Sequence, residues 1–277
     1  MSNPGMGWRR RAVRVVRGVL VAYLTVLLVL TLLERFLVYP APPLERSDWT
    51  LGEAFEDVAF TSADGTRLHG WLLERPGARR AVLYCHGNGE QVADNAELIP
   101  LLAARLDASI FLFDYRGYGK SEGKPDEAGV VADGLAAQRW LAQRTGRTPD
   151  RVTLIGRSIG GGVAVACAAE LGAEALVLQS TFSRLTDAAA HHYPWLPVRL
   201  VMKNRYDSLA RIQRYRGPLF VSHGTADRIV PLGLGRRPFD ASPSTAKEFY
   251  EMPGRGHNEP QPRAYYDRLQ RFLAELP

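Results

Sequence analysis

The 277-residue sequence predicts an α/β fold in which a mostly parallel sheet carries helices on both faces and is entered through an N-terminal hairpin. Three observations carry that reading. From residue 80 onward, short continuously apolar runs alternate with longer helical patterns, as strands buried on both faces and their crossover helices require. Two strand-like runs precede them, joined by Ser62-Ala63-Asp64-Gly65, and Asp-Gly accepts the positive φ of a tight hairpin. Finally, an apolar share of 46% lets a chain of this length bury an extensive core.

The N-terminal segment is of another kind. Arg9, Arg10, Arg11, Arg14 and Arg17 precede residues 18–33, which carry no charged side chain. This predicts a single transmembrane anchor over residues 18–39, with the arginines snorkelling at one end and Phe36, Leu37, Val38 and Tyr39 lengthening the other. A cleaved signal peptide is the alternative, but it should end in a small-x-small site, whereas this stretch runs into Leu33-Glu34-Arg35-Phe36. The arginines then hold residues 1–17 in the cytoplasm and put the rest of the chain on the periplasmic or extracellular side. Pro40, Pro42 and Pro43 end the helix, so residues 40–49 read as a stiff linker to a folded domain at 50–277.

The elements of that domain follow in order. Strands are expected at 55–61 and 66–73 (the hairpin), 80–85, 109–113, 152–155, 175–179, 219–222 and 247–251. Helices are expected at 92–106, 126–143, 161–171 and 263–276, the last with Leu269, Phe272, Leu273 and Leu276 on one face. Residues 181–207, rich in Tyr193, Pro194, Trp195, Leu196, Pro197 and Met202, are too long for a simple connection and are expected either to cap the site or to pack as a loop.

Charge and cysteine content exclude several functions. Setting aside the five N-terminal arginines, the 35 basic residues fall to near balance with the 29 acidic ones, so no nucleic-acid-binding face is expected. Cys85 and Cys167 read as small core residues rather than a disulfide framework or a metal site, and no metal or cofactor is expected. Gly119-Lys120-Ser121 lacks the spacing of a phosphate loop. Nothing in the sequence sets an oligomeric state.

The chemistry centres on Gly156-Arg157-Ser158-Ile159-Gly160, between an apolar strand and a helix of small residues. A serine hydroxyl is a poor nucleophile at neutral pH and needs exposure, a base and a site for the oxyanion it creates. Glycines two residues to either side let the chain turn sharply without a Cβ clash, and the helix that follows aims its amide groups at developing negative charge. Ser158 is therefore the candidate nucleophile. Loops at the carboxyl ends of parallel strands converge on one edge, and there Gly254-Arg255-Gly256-His257 offers His257 as the base and His223-Gly224-Thr225-Ala226-Asp227 offers Asp227 as the acid.

Rivals are few. His86 and His223 are alternative bases before strand-end glycines, His191-His192 reads as a surface pair or pocket lining, and Asp114, Asp207 and Asp240 are alternative acids. The backbone NH groups of Asn88, in His86-Gly87-Asn88-Gly89, and of Ile159 are expected to form the oxyanion hole. His86, Tyr115 and Trp195 are expected to line the substrate pocket.

These segments resemble the α/β-hydrolases, in particular membrane-anchored serine hydrolases of the alpha/beta-hydrolase domain-containing type. The resemblance rests on Tyr39-Pro40, Tyr84-Cys85-His86-Gly87-Asn88, Asp114-Tyr115-Arg116-Gly117-Tyr118-Gly119-Lys120-Ser121, the serine turn, His223 to Asp227 and Gly256-His257-Asn258, which together span nearly the whole chain. The order Ser158, Asp227, His257 is the one expected of that fold. The resemblance implies an esterase or thioesterase working through a serine acyl-enzyme, with an amidase or peptidase on the same triad as the alternative. A membrane-tethered binding protein without turnover is the reading from another class.

Overall fold

In the strand Arg80–Cys85, successive side chains enter different cores: Ala81, Leu83 and Cys85 join one apolar cluster, and Val82 and Tyr84 join another on the opposite face. That is the physical meaning of the apolar run from Ala81 to Cys85, since a period of two with both faces covered sends every side chain into a core. The computed structural model describes residues 4–276. Its strands are β1 (Glu56–Thr61), β2 (Arg67–Leu73), β3 (Arg80–Cys85), β4 (Ala108–Phe113), β5 (Thr153–Arg157), β6 (Leu176–Gln179), β7 (Leu219–Gly224) and β8 (Lys247–Met252). They form one eight-stranded sheet in the order β1-β2-β4-β3-β5-β6-β7-β8. The pairs β1/β2 and β2/β4 are antiparallel and the remainder parallel. The expected hairpin-then-parallel architecture is therefore the observed one.

The helices are α1 (Pro4–Val38), α2 (Leu98–Leu106), α3 (Glu127–Arg144), α4 (Ile159–Leu171), α5 (Leu185–His192), α6 (Val198–Val201), α7 (Ser208–Ile212), α8 (Leu232–Ala241) and α9 (Arg263–Ala274). One face of the sheet packs Val130, Ala137 and Leu141 of α3 with Val163, Ala164 and Cys167 of α4. The other packs Ile99 and Leu102 of α2 with Leu269 and Phe272 of α9. Helix α4 is buried from Ile159 through Ala168, as a helix apolar all round must be. Both cysteines are free and buried.

Three boundaries differ from the sequence expectation. The expected helix at 92–106 is broken into a 3-10 turn at Val92–Asn95 and α2, because Pro100 is tolerated only in a first turn and fixes the start of α2 just ahead of it. Helix α1 does not begin at residue 18 but runs through the arginine cluster, since arginine is a good helix former. Residues 40–49, expected as a stiff linker, are fastened to the body along their length. Tyr39 is buried and hydrogen-bonded to Asn204 and Tyr206, Arg46 and Ser47 both bond Asp94, and Trp49 packs edge-on against Trp71, so the folded body begins at the end of α1.

Candidate active site

The turn from β5 into α4 places its strain on the serine. Ser158 sits at φ 52°, ψ −118°, a backbone conformation that costs a non-glycine residue about 1–3 kcal/mol and persists only where its surroundings enforce it. Here its NH donates to the Gln179 carbonyl at 2.9 Å, while its carbonyl accepts from the Thr181 hydroxyl at 2.8 Å and the Gly161 NH at 3.0 Å. The flanking glycines act through space rather than through φ. A Cβ on Gly156 would lie 2.4 Å from the Gly160 carbonyl oxygen, and one on Gly160 would lie 2.2 Å from that of Cys85.

His257, in the loop after β8, brings Nε2 to 3.0 Å from Ser158 Oγ and Nδ1 to 2.7 Å from Asp227 Oδ2. A carboxylate accepts only, so the proton stays on Nδ1 and leaves Nε2 free to accept from the serine hydroxyl. Asp227, in the turn after β7, is fixed through its other oxygen by the NH groups of Ile229 at 2.9 Å and Val230 at 2.8 Å. Burial by itself raises this carboxyl, but hydrogen bonds from His223, His257 and the Val230 NH outweigh it and hold the group well below the ordinary carboxylate range.

The rivals sit elsewhere. His223 lies behind the acid, fully buried, with Nε2 2.8 Å from the Val230 carbonyl and 3.3 Å from Asp227 Oδ2. Asp114 accepts from the Val92 NH, Asp207 caps α7, and Asp240 pairs with Arg236 on the surface.

Two of the expected pocket residues support the site from below instead of lining it. His86 is fully buried, its ring 4.3 Å from that of Tyr115, and burial pushes its pKa down. Tyr115, also buried, donates its hydroxyl to the His86 carbonyl at 2.9 Å. The third, Trp195, is 58% exposed and turns away from the cavity toward α1, where Tyr23 donates to its carbonyl at 3.1 Å. The aromatic character that suggested a pocket wall serves strand-end packing in the first two and contact with a helix in the third.

Around the serine, Ile159 opens α4, where an NH has no carbonyl one turn earlier to bind. Across from it the Gly87 NH is taken by Glu90 at 3.1 Å. The Asn88 side chain is held at both ends, accepting from the Tyr118 hydroxyl at 2.7 Å and donating to the Val38 carbonyl at 2.8 Å. Sequence reasoning missed Arg157. It pairs with Glu90 and reaches Asn258 Oδ1 at 3.2 Å, tying the β3 loop, the serine turn and the His257 loop together. Its place between Gly156 and Ser158 was visible, but nothing in the spacing pointed to Glu90.

A cavity of about 530 Å³ opens onto Ser158 and His257. One wall is the 181–207 segment, through Leu185, Ala189, Leu196 and Val198. His192, of the expected surface pair, lines it as well. The facing wall is α1, through Leu27, Leu30, Thr31, Glu34, Leu37 and Val38. Glu34 pins the two walls together: buried, it accepts from the NH groups of Lys203 and Asn204 at 2.9 and 2.8 Å. Among the described residues no group of three His, Cys, Asp or Glu side chains is arranged to hold a metal ion.

Comparison with known proteins agrees with the architecture. The alpha/beta hydrolase fold family matches residues 80–209, a span that includes Ser158. Alpha/beta hydrolase domain-containing protein 17C of Xenopus tropicalis is 31% identical over 241 residues, covering 84% of this chain and 76% of that one. The chain belongs to the α/β-hydrolase superfamily. This α/β-hydrolase is also 38% identical over 273 residues to the uncharacterized protein Rv2307c of Mycobacterium tuberculosis, covering 96% of each. Among solved structures it superposes on the Pyrococcus furiosus esterase PF2001 with a TM-score of 0.71 at 21% identity, covering 85% of this chain and 97% of that one, a likeness of fold.

Proposed function

We propose that this α/β-hydrolase cleaves carboxylic esters or thioesters through a serine acyl-enzyme, with Ser158 as nucleophile, His257 as general base and acid, and Asp227 as the group that orients it. The observation that carries the reading is the continuous chain of contacts from Asp227 through His257 to Ser158, at 2.7 and 3.0 Å. As Ser158 Oγ attacks the carbonyl carbon, its proton passes to His257 Nε2, and the low-pKa Asp227 carboxylate stabilises the imidazolium that results. The oxyanion is received by the Ile159 and Asn88 NH groups. Collapse breaks the acyl–oxygen or acyl–sulfur bond, and the alcohol or thiol leaves with the proton from His257. Water then repeats the sequence on the acyl-serine and releases the acid.

Helix α1 serves in this reading as a single-pass membrane anchor. It is long and apolar enough to cross a bilayer, with mean hydropathy 2.3 over its most apolar window. Its arginines favour a cytoplasmic N-terminus and a catalytic domain on the far side. A carboxyl-terminal alkaline phosphatase fusion, active only outside the cytoplasm, tests the orientation; an expressed but inactive fusion reverses it.

The hydrolase reading is tested by a fluorophosphonate probe and p-nitrophenyl butyrate. Wild type should be labelled and active, whereas Ser158→Ala should be unlabelled and slower by several orders of magnitude with unchanged circular dichroism. More than about a tenth of wild-type activity in that variant would remove Ser158 from the mechanism.

A further inference from the structure

The cavity beside Ser158 shares its wall with the one helix among the described residues that is long and apolar enough to span a membrane. Around that helix the faces divide. Leu20, Leu24, Leu28 and Leu32 point outward with 53%, 51%, 59% and 71% of their surface exposed, while Leu27, Leu30 and Thr31 face the cavity. Leu37 and Tyr193 both line the cavity and yet remain 58% and 52% exposed, so they mark its rim, one on α1 and one on the cap. The rim is therefore apolar on both sides.

Length supports the same conclusion. From Leu27 to Val38 the helix rises about 16 Å at 1.5 Å per residue. That matches one leaflet of a bilayer whose hydrocarbon core is about 30 Å thick. A chain lying in the leaflet beside α1 would run parallel to the cavity wall and could move sideways into it without crossing water.

The polar end of the cavity limits what the chain is attached to. Arg157 is the one arginine or lysine among the described lining residues, and it is already paired with Glu90. The other carboxylate in the wall, Glu34, is satisfied by the Lys203 and Asn204 amides. Among the described lining residues no arginine or lysine is left unpaired to receive a phosphate.

Resting on the hydrolytic reading of Ser158, we propose that the substrate is a bilayer-resident long-chain ester of an uncharged alcohol, a neutral acylglycerol, which reaches the serine laterally from the leaflet around α1. The acyl–oxygen bond breaks, the acyl group passes to Ser158 Oγ, the glycerol oxygen takes the proton held on His257, and water releases the fatty acid.

The experiment uses the full-length protein reconstituted into vesicles of ether-linked phosphatidylcholine, which offers no ester of its own. 1,2-Dioleoylglycerol is placed either in the same vesicles or in separate ones, and water-soluble p-nitrophenyl butyrate is assayed in both. The expected result is hydrolysis of dioleoylglycerol at least tenfold faster in the same vesicles, with butyrate cleaved equally in the two preparations. Dioleoylphosphatidate in the same vesicles should be cleaved at least tenfold more slowly than dioleoylglycerol. Leu30→Trp should lower the ratio of dioleoylglycerol to butyrate kcat/KM at least tenfold by filling the α1 side of the cavity. Equal rates for lipid in the same and in separate vesicles overturn lateral entry, equal rates for phosphatidate overturn the neutral alcohol, and faster cleavage of a membrane-anchored S-palmitoyl peptide gives the site to acylated proteins instead. Butyrate cleaved with dioleoylglycerol untouched sinks this inference while the hydrolase stands. Loss of both activities together with fluorophosphonate labelling sinks the hydrolase reading itself.

Discussion

Asn88 Nδ2 donates to the Val38 carbonyl oxygen at 2.8 Å, so the last turn of α1 ends on the loop that carries the proposed second oxyanion donor. A carbonyl in the last turn of a helix has no intrahelical partner, and this side chain supplies one. With Tyr118 holding the same amide at its oxygen, the loop is clamped from two directions.

Asn88→Ala should therefore lower kcat although the donor, a backbone NH, is still present. Deleting an oxyanion donor outright costs about 100- to 1,000-fold in kcat; loosening one should cost roughly tenfold, with KM little changed. Tyr118→Phe, which removes half of the clamp, should fall between the variant and wild type. Steady-state kinetics on p-nitrophenyl butyrate read both, and an Asn88→Ala enzyme with wild-type kcat would show that the Asn88 NH receives no oxyanion.

Asp227 gives a prediction in kinetics and another in stability. Asp227→Asn keeps the shape but can present an NH to His257 and trap the wrong tautomer, a change that costs a protease about ten-thousand-fold in kcat. The same substitution at Asp114, Asp207 or Asp240, which serve caps and a surface pair, should cost far less. Because the folded-state pKa of Asp227 is depressed, its charge stabilises the fold fully above the unfolded carboxyl value, about 3.9, and that contribution is lost as pH falls toward the folded value. Thermal unfolding of wild type and Asp227→Asn in detergent should show a stability gap that narrows as pH falls below about pH 4. A gap that widened on acidification below about pH 4 would contradict the depressed pKa.

The Arg157–Glu90 pair is mostly buried, with about a fifth of each side chain exposed. Removing one partner strands the other, and so costs more than removing both. Arg157→Met and Glu90→Gln should each lower Tm, and the double variant should be more stable than the sum of the two changes implies, with a coupling of about 0.5–3 kcal/mol. Strict additivity in the cycle would mean that the pair does not hold these loops together.

Much of this site was legible in the chain because its signals are local. Ser158 lies between glycines at fixed offsets, and Asp227 and His257 each follow a strand-like run, at 219–222 and 247–251, so the topology of parallel strands does the rest. The role of α1 was not legible for a physical reason. In a segment where almost every residue is apolar, the stripe that packs on protein has the same composition as the stripe that faces lipid, and Leu27 and Leu30 cannot be told from Leu28 and Leu32. Glu34 and Arg35 are the charged residues that break the pattern, and they mark the end of a span in the sequence, which gives no sign that Glu34 caps the Lys203 and Asn204 amides. Arg157 and Glu90 were opaque because their pairing exists only once β3 and β5 lie side by side.

Chain-length selectivity separates the cap residues that the sequence could not separate. Trp195 and Leu196 are adjacent, both are large and apolar, and the sequence favoured the tryptophan as pocket lining. The structure turns Leu196 into the cavity, 9% exposed, and Trp195 out toward Tyr23. Leu196→Ala enlarges the cavity, and since one methylene in a fitted pocket is worth about 1–3 kcal/mol, it should shift the octanoyl-to-butyryl ratio of kcat/KM by roughly tenfold or more. Trp195→Ala should leave that ratio within about twofold, because the removed ring touches α1 and not the chain. Its effect should appear instead where α1 and the cap meet, as faster proteolysis of the 181–207 segment in the detergent-solubilised protein. A Trp195→Ala enzyme whose chain-length ratio moved as far as that of Leu196→Ala would mean that the cap reorients in solution and that the tryptophan does reach the acyl group.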